Sequence, residues 1–153
     1  MTYHILVYQL EKLESIIFYS IEKAIKSYRQ LAQKQIKKAG LSITIDQWLV
    51  IKNILEKPGI TQSEIAERSF KDNASVTRII ELLVKSEYLE RKFNIKDRRR
   101  YTLIVTENGQ KVIEDVMKVV YKNRATALNG VTSKELEQTS LVLKKISKNC
   151  INS

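Results

Sequence analysis

Few residues of this chain are equipped for covalent chemistry. Among 153 residues there is one histidine, His4, and one cysteine, Cys150. A Cys/His zinc site or a nucleophile–base pair needs more than this. The HExxH, GxxxxGK[ST] and GxGxxG patterns are absent. No catalytic residue, metal ligand or cofactor is therefore expected, and the chain is not read as an enzyme. Two groups are suited to binding instead. The first is Asn73, Ala74, Ser75, Thr77 and Arg78, small or polar residues at the start of a helical pattern. Small side chains let a helix N-terminus approach base edges in a major groove, and hydroxyls and a guanidinium can bond bases or phosphates. The second is Lys96, Asp97, Arg98, Arg99 and Arg100, one acid in a run of bases. An arbitrary charge run is usually a solvated face. This one lies directly behind a helix-turn-helix pattern, which favours an anionic partner, because narrow minor grooves attract inserted arginines.

The elements that must position both groups lie within residues 61–105. Thr61 and Glu64 form a capping box, with Ile60 and Ile65 as its hydrophobic staple. Ile65 and Ala66 are expected to face inward and Glu67 and Arg68 outward. Asp72 is the N-cap of a second helix, in which Val76, Ile79, Ile80, Leu83 and Val84 recur at helical spacing. A hairpin follows over 88–93 and 100–105, with Tyr101, Leu103 and Val105 alternating as in a half-buried strand.

These residues resemble the MarR family of winged-helix transcription regulators. The resemblance is carried by IAER at 65–68, D-x-x-x-V-T-R at 72–78, LER at 89–91, DRR at 97–99 and VTENG at 105–109, in that order. It extends over nearly the whole chain. Phe70 and Glu87 stand where the family often has glycine. Lys71 replaces a usual apolar residue, and Phe70 is expected to supply the missing contact. The resemblance implies that Asp97 holds Arg99 toward a minor groove. It also implies a small, often aromatic or phenolic effector between the DNA lobe and the dimerisation helices, for which Phe18, Tyr28, Trp48 and Val112 are the candidate lining residues. Relatives that sense oxidants carry a cysteine in the N-terminal helix. Cys150 lies near a helix C-terminus, without the field that lowers a thiol pKa, and is expected to be a plain, partly buried cysteine.

Around this lobe the pattern is helical. A single long helix is expected over 4–38, with Leu13, Ile16, Ile17, Ser20, Ile21, Ala24, Tyr28, Leu31 and Ala32 on one side and Gly40 closing it. That stripe is longer than a small core can cover, so a second copy of the chain is its natural partner. The next helix starts at Thr44, where Gln47 completes a capping box and Ile43 and Trp48 a staple. Trp48, Ile51, Ile54 and Leu55 are expected to face inward, and Pro58–Gly59 ends the helix. Thr106 caps a helix carrying Val112, Ile113, Val116, Val119 and Val120. Gly130 breaks it, and Thr132 with Glu135 opens the last helix, marked by Leu136, Leu143 and Ile146. The fold class is mostly α with a small β-hairpin wing: a single unit of 1–153, with a winged-helix lobe at 44–105 and dimerisation helices at 4–38 and 106–150.

Lys plus Arg is 27 and Asp plus Glu is 17, a net charge of +10. That excess favours nucleic acid or an anionic membrane surface. Membrane binding has little support, because no run of about 18 apolar residues occurs. No signal-peptide pattern is visible, since the start lacks basic residues and an acid stands by Glu11. A lone cysteine fits a reducing cytosol, so the expected location is cytoplasmic. The expected function is a homodimeric, sequence-specific DNA-binding regulator on a roughly palindromic operator, with release by a small-molecule effector. Two other classes explain parts of the sequence: a winged-helix protein-interaction module, and a nonspecific nucleoid-type DNA binder.

Overall fold

The computed structural model describes residues 12–93, 95 and 101–152. His4 and the wing-tip residues Lys96, Asp97, Arg98, Arg99 and Arg100 lie outside the described residues. A short 3-10 turn, Leu13–Ser15, leads into α1 (Ile17–Lys38), α2 (Ile45–Glu56), α3 (Gln62–Arg68), α4 (Asn73–Lys85), β1 (Leu89–Phe93), β2 (Tyr101–Val105), α5 (Glu107–Ala127) and α6 (Ser133–Ile151). The strands pair antiparallel, with Leu89 opposite Val105, Arg91 opposite Leu103 and Phe93 opposite Tyr101. This is the mostly helical winged helix-turn-helix expected from the sequence.

The helix starts are set by local chemistry. At α2, α3 and α6 the N-cap threonine accepts from the backbone three residues on, and the Gln47, Glu64 or Glu135 side chain accepts in return from the N-cap amide. Asp72 takes the Ser75 N–H at 2.7 Å. Thr106 takes the Gly109 N–H at 3.0 Å. Gly109 is also a packing requirement, because a Cβ there would stand 2.2 Å from the Tyr88 carbonyl oxygen. The start of α5 thereby lies directly against the wing.

One core joins the lobe. Val50, Ile51, Ile65, Val76, Ile80, Leu83, Leu89 and Leu103 cluster with Val112, Ile113, Val116 and Val120 of α5. At its edge the Asn53 amide donates to the Leu49 carbonyl at 2.8 Å and to Ser69 Oγ at 3.4 Å, which satisfies two buried polar groups together.

Four expectations are corrected. The first helix is not continuous from 4 to 38. Ile16 is extended (φ −82°, ψ 115°), and α1 begins at Ile17. The Ser15 and Ile16 amides close i→i−3 bonds to Lys12 and Leu13, so the chain turns where β-branched residues give weak helical preference. At 22 residues α1 is about 33 Å long. Leu55 is 39% exposed rather than inward; the buried face of α2 is Val50, Ile51, Asn53 and Ile54. Leu55 falls on the rim where the helix is about to end. Cys150 is exposed, not partly buried. Phe70 supplies no apolar contact, being 97% exposed. It adopts φ 55°, and Glu87 adopts φ 59°, the left-handed conformation for which glycine is suited. Lys71 needs no apolar substitute because its ammonium pairs with Asp46 at 2.9 Å.

Candidate nucleic-acid interface

The helix-turn-helix presents the N-terminal half of α4. Asn73, Ala74 and Arg78 are exposed, and Ser75 and Thr77 are half-buried. Their chemistry is not equivalent. Ser75 Oγ donates to Asp72 Oδ2 at 2.8 Å. Thr77 Oγ1 donates to the Asn73 carbonyl at 2.8 Å and accepts from Gln62 Nε2 at 2.6 Å. Both hydroxyls are therefore engaged in holding the start of the helix. Among the described residues Arg78 forms no hydrogen bond or ion pair, and a guanidinium carries five N–H donors for a partner. Nearby cations are neutralised: Arg68 pairs with Glu56 at 2.8 Å, and Lys57 pairs with Glu64. The Asp72 carboxyl is held below the usual carboxylate range, mainly by the Ser75 backbone N–H and then by its hydroxyl.

Gln62 is a residue that sequence reasoning missed. It is the first residue of α3, its amide nitrogen reaches Thr77 on α4, and its carbonyl oxygen accepts from Tyr101 OH on the wing at 3.4 Å. It thus ties the positioning helix, the recognition helix and the hairpin together. These partners lie 15 and 39 positions away, and no local pattern marks them.

The wing is braced at the outer end of its strands. The Arg91 guanidinium lies 5.3 Å from the centre of the Tyr101 ring, a cation–π contact. Tyr101 meets Phe93 edge-on at 5.9 Å. Leu103 and Val105 are buried, whereas Tyr101 is 36% exposed, so the inward alternation ends before the tip. Ile95 at the tip is 99% exposed.

The four ligand-lining candidates occupy different surroundings. Val112 is in the core and Trp48 packs against it. Tyr28 is half-buried, and Phe18 is 59% exposed. The Trp48 indole N–H is buried with no hydrogen-bond partner among the described residues. A cleft of about 620 Å³ between α1 and the start of α2 is lined by Ile25, Arg29, Gln33, Thr44 and Asp46 among others, and by none of the four.

A capped recognition helix, a positioning helix locked to it and a hairpin braced against both define a winged-helix DNA-binding protein. The MarR family model matches residues 39–100, which span α2 to the wing tip. The chain belongs to the MarR family of transcriptional regulators. A solved protein of unknown function from Listeria innocua Clip11262 is 30% identical over 87% of this chain and 91% of its own, with a TM-score of 0.66. A mutant MarR from E. coli, solved in complex with operator DNA, is 23% identical over 90% of this chain and 99% of its own (TM-score 0.77). BpsR from Bordetella bronchiseptica, whose DNA binding is regulated by 6-hydroxynicotinic acid, is 17% identical over 90% and 97% (TM-score 0.79). Among the described residues no helix is long and apolar enough to cross a membrane.

Proposed function

We propose that the chain acts as a homodimer on a roughly palindromic operator, in the cytoplasm, and represses transcription from it. The observation that carries this reading is the exposed start of α4, with Asn73, Ala74 and Arg78 outward on a helix capped and braced from behind. In the dimer two such helices enter successive major grooves, about 34 Å apart. The basic segment at 96–100 enters the flanking minor grooves, with Asp97 orienting Arg99. Dimerisation uses the first half of α1 together with α6, where Ile17, Phe18, Leu136 and Leu143 are left exposed and no residue of α6 is buried. The likeness to a MarR solved with operator DNA supports the same arrangement here.

A small aromatic effector that alters the separation of the two lobes would release the DNA. Two observations support such a site: BpsR is regulated by an aromatic acid, and Trp48 holds a buried N–H that an acceptor on a ligand would satisfy.

The test is selection of a bound duplex from a random pool, followed by titration against random-sequence competitor. Preference for the selected duplex, lost in Arg78→Ala by about 1–3 kcal/mol, supports base reading by Arg78. Equal affinity for both duplexes would leave a nonspecific binder, and no salt-sensitive binding at all would leave a protein-interaction module.

A further inference from the structure

The loop that launches the recognition helix is tied to the first long helix through a single carboxylate. Asp46, in the first turn of α2, accepts from Arg29 Nη2 of α1 at 2.5 Å on one oxygen and pairs with Lys71 Nζ at 2.9 Å on the other. Lys71 immediately precedes the Asp72 N-cap of α4. Its side chain is only 24% exposed, so its charge is turned into the protein rather than toward a DNA surface. The corner between α1 and α2 is fixed separately. Gln33 Oε1 accepts from the Ile45 N–H at 3.1 Å, and Gln33 Nε2 donates to the Ile43 carbonyl at 3.5 Å. Asp46 is therefore held on a rigid corner, and Lys71 is the arm by which the HTH turn grips it. Phe70, just before Lys71, packs on nothing at 97% exposure, so the turn lacks an apolar anchor at that position.

We propose that Asp46 is a positioning residue for DNA recognition, setting the angle of α4 relative to α1 through Lys71. The proposal rests on the reading of the chain as an operator-binding dimer. Partly exposed ion pairs contribute little to global stability, but two pairs converging on one carboxylate restrict where a short turn can sit. In a dimer whose helices must meet two grooves together, a small change in that angle detunes the spacing without removing any DNA contact. The charge makes the inference sharp. Asp46 is an acid in a DNA-binding protein, so electrostatics alone predicts that neutralising it tightens binding. A positioning role predicts the reverse.

The experiment uses the full chain and the duplex selected by the wild type. If the wild type selects no duplex, the reading of function fails and not this inference in particular. Given a selected duplex, Asp46→Asn should bind it roughly tenfold more weakly, a loss within the range of coupling between contacting residues. Affinity for random duplex and the thermal midpoint should stay close to the wild type. Lys71→Met should lose a similar factor with an unchanged salt slope, Lys71→Arg should recover most of it, and the Asp46→Asn/Lys71→Met double variant should lose no more than either alone. Unchanged or tighter binding by Asp46→Asn overturns the proposal. So does a salt slope lowered by about one unit in Lys71→Met, which would make Lys71 a phosphate contact.

Discussion

The segment from α2 to α5 and the two ends of the chain use the same apolar periodicity in opposite ways. In α4, Val76, Ile80 and Leu83 are fully buried. In α1, Ile17 is 57% exposed and Ile25 is 52% exposed, and α6 has no buried residue at all. Yet α6 repeats leucine at 136 and 143 on one face, as regularly as α4 does. Periodicity therefore reports that a helix has an apolar face. It does not report whether the covering surface comes from the same chain. The lobe closes its core within one chain, because α5 folds back on α2 and Ile36 of α1 joins the same cluster. The first half of α1 and the whole of α6 leave apolar residues exposed, which is the surface the proposed dimer would cover.

The largest expected effects test that contrast directly. Leu83→Ala should cost about 2–5 kcal/mol of stability at any protein concentration, since the cavity lies within one chain. Leu143→Asp should instead give a loss that shrinks as protein concentration rises, because its cost falls on association. Urea melts over a hundredfold concentration range, with light scattering, separate the two. A Leu143→Asp protein with the wild-type mass and melting curve at every concentration would remove α6 from the interface.

What was legible in the sequence was local. The three Thr-x-x-Glu/Gln capping boxes were read from four residues each, and both halves of each form. The apolar stripes of α4 and α5 were also plain, because burial follows the period. The misses share a different cause. No glycine or proline marks the start of α1 in the sequence; the break is made by backbone bonds to Lys12 and Leu13. In the sequence Lys71 interrupts an apolar position, and nothing nearby identifies its partner, because Asp46 lies 25 positions earlier. The importance of Gln62 depends on contacts to α4 and the wing. In the candidate interface, residue types identified the surface, but only the fold showed that Ser75 and Thr77 are engaged structurally while Arg78 is not.

A smaller effect sharpens the contrast within the lobe. The two family glycine positions filled by Phe70 and Glu87 sit at φ 55° and φ 59°. Left-handed conformation costs a residue with a Cβ on the order of 1 kcal/mol, which glycine avoids while adding entropy to the unfolded chain. Glu87→Gly should therefore raise stability by about 0.5–1 kcal/mol. Its carbonyl bond from Thr106 Oγ1, at 2.6 Å, is a backbone contact and survives the change. A thermal midpoint equal to or below the wild type would mean that the turn is not strained there.

The smallest expected effect compares two versions of one device, the capping boxes of α3 and α6. Glu64 accepts from the Thr61 amide and hydroxyl, each at 2.8 Å, and also from Lys57. Glu135 has the corresponding bonds from Thr132 at 2.8 and 2.7 Å, with no lysine among the causes that lower its pKa. Lys57 first, then Thr61, hold the Glu64 carboxyl down to about 2. Because the folded value is depressed below the unfolded one of about 4.3, this contribution is present above that pH and is lost as pH falls toward 2. Glutamine preserves a capping box but cannot titrate. Glu64→Gln should thus flatten the decline of the urea midpoint between pH 4.5 and 2, and Glu135→Gln should flatten it less, since only Thr132 acts there. Melts of the three proteins at pH 6 and pH 3 give the comparison. If Glu64→Gln declines in parallel with the wild type, the Lys57–Glu64 contact does not persist in solution, and the two boxes are equivalent in spite of their different neighbours.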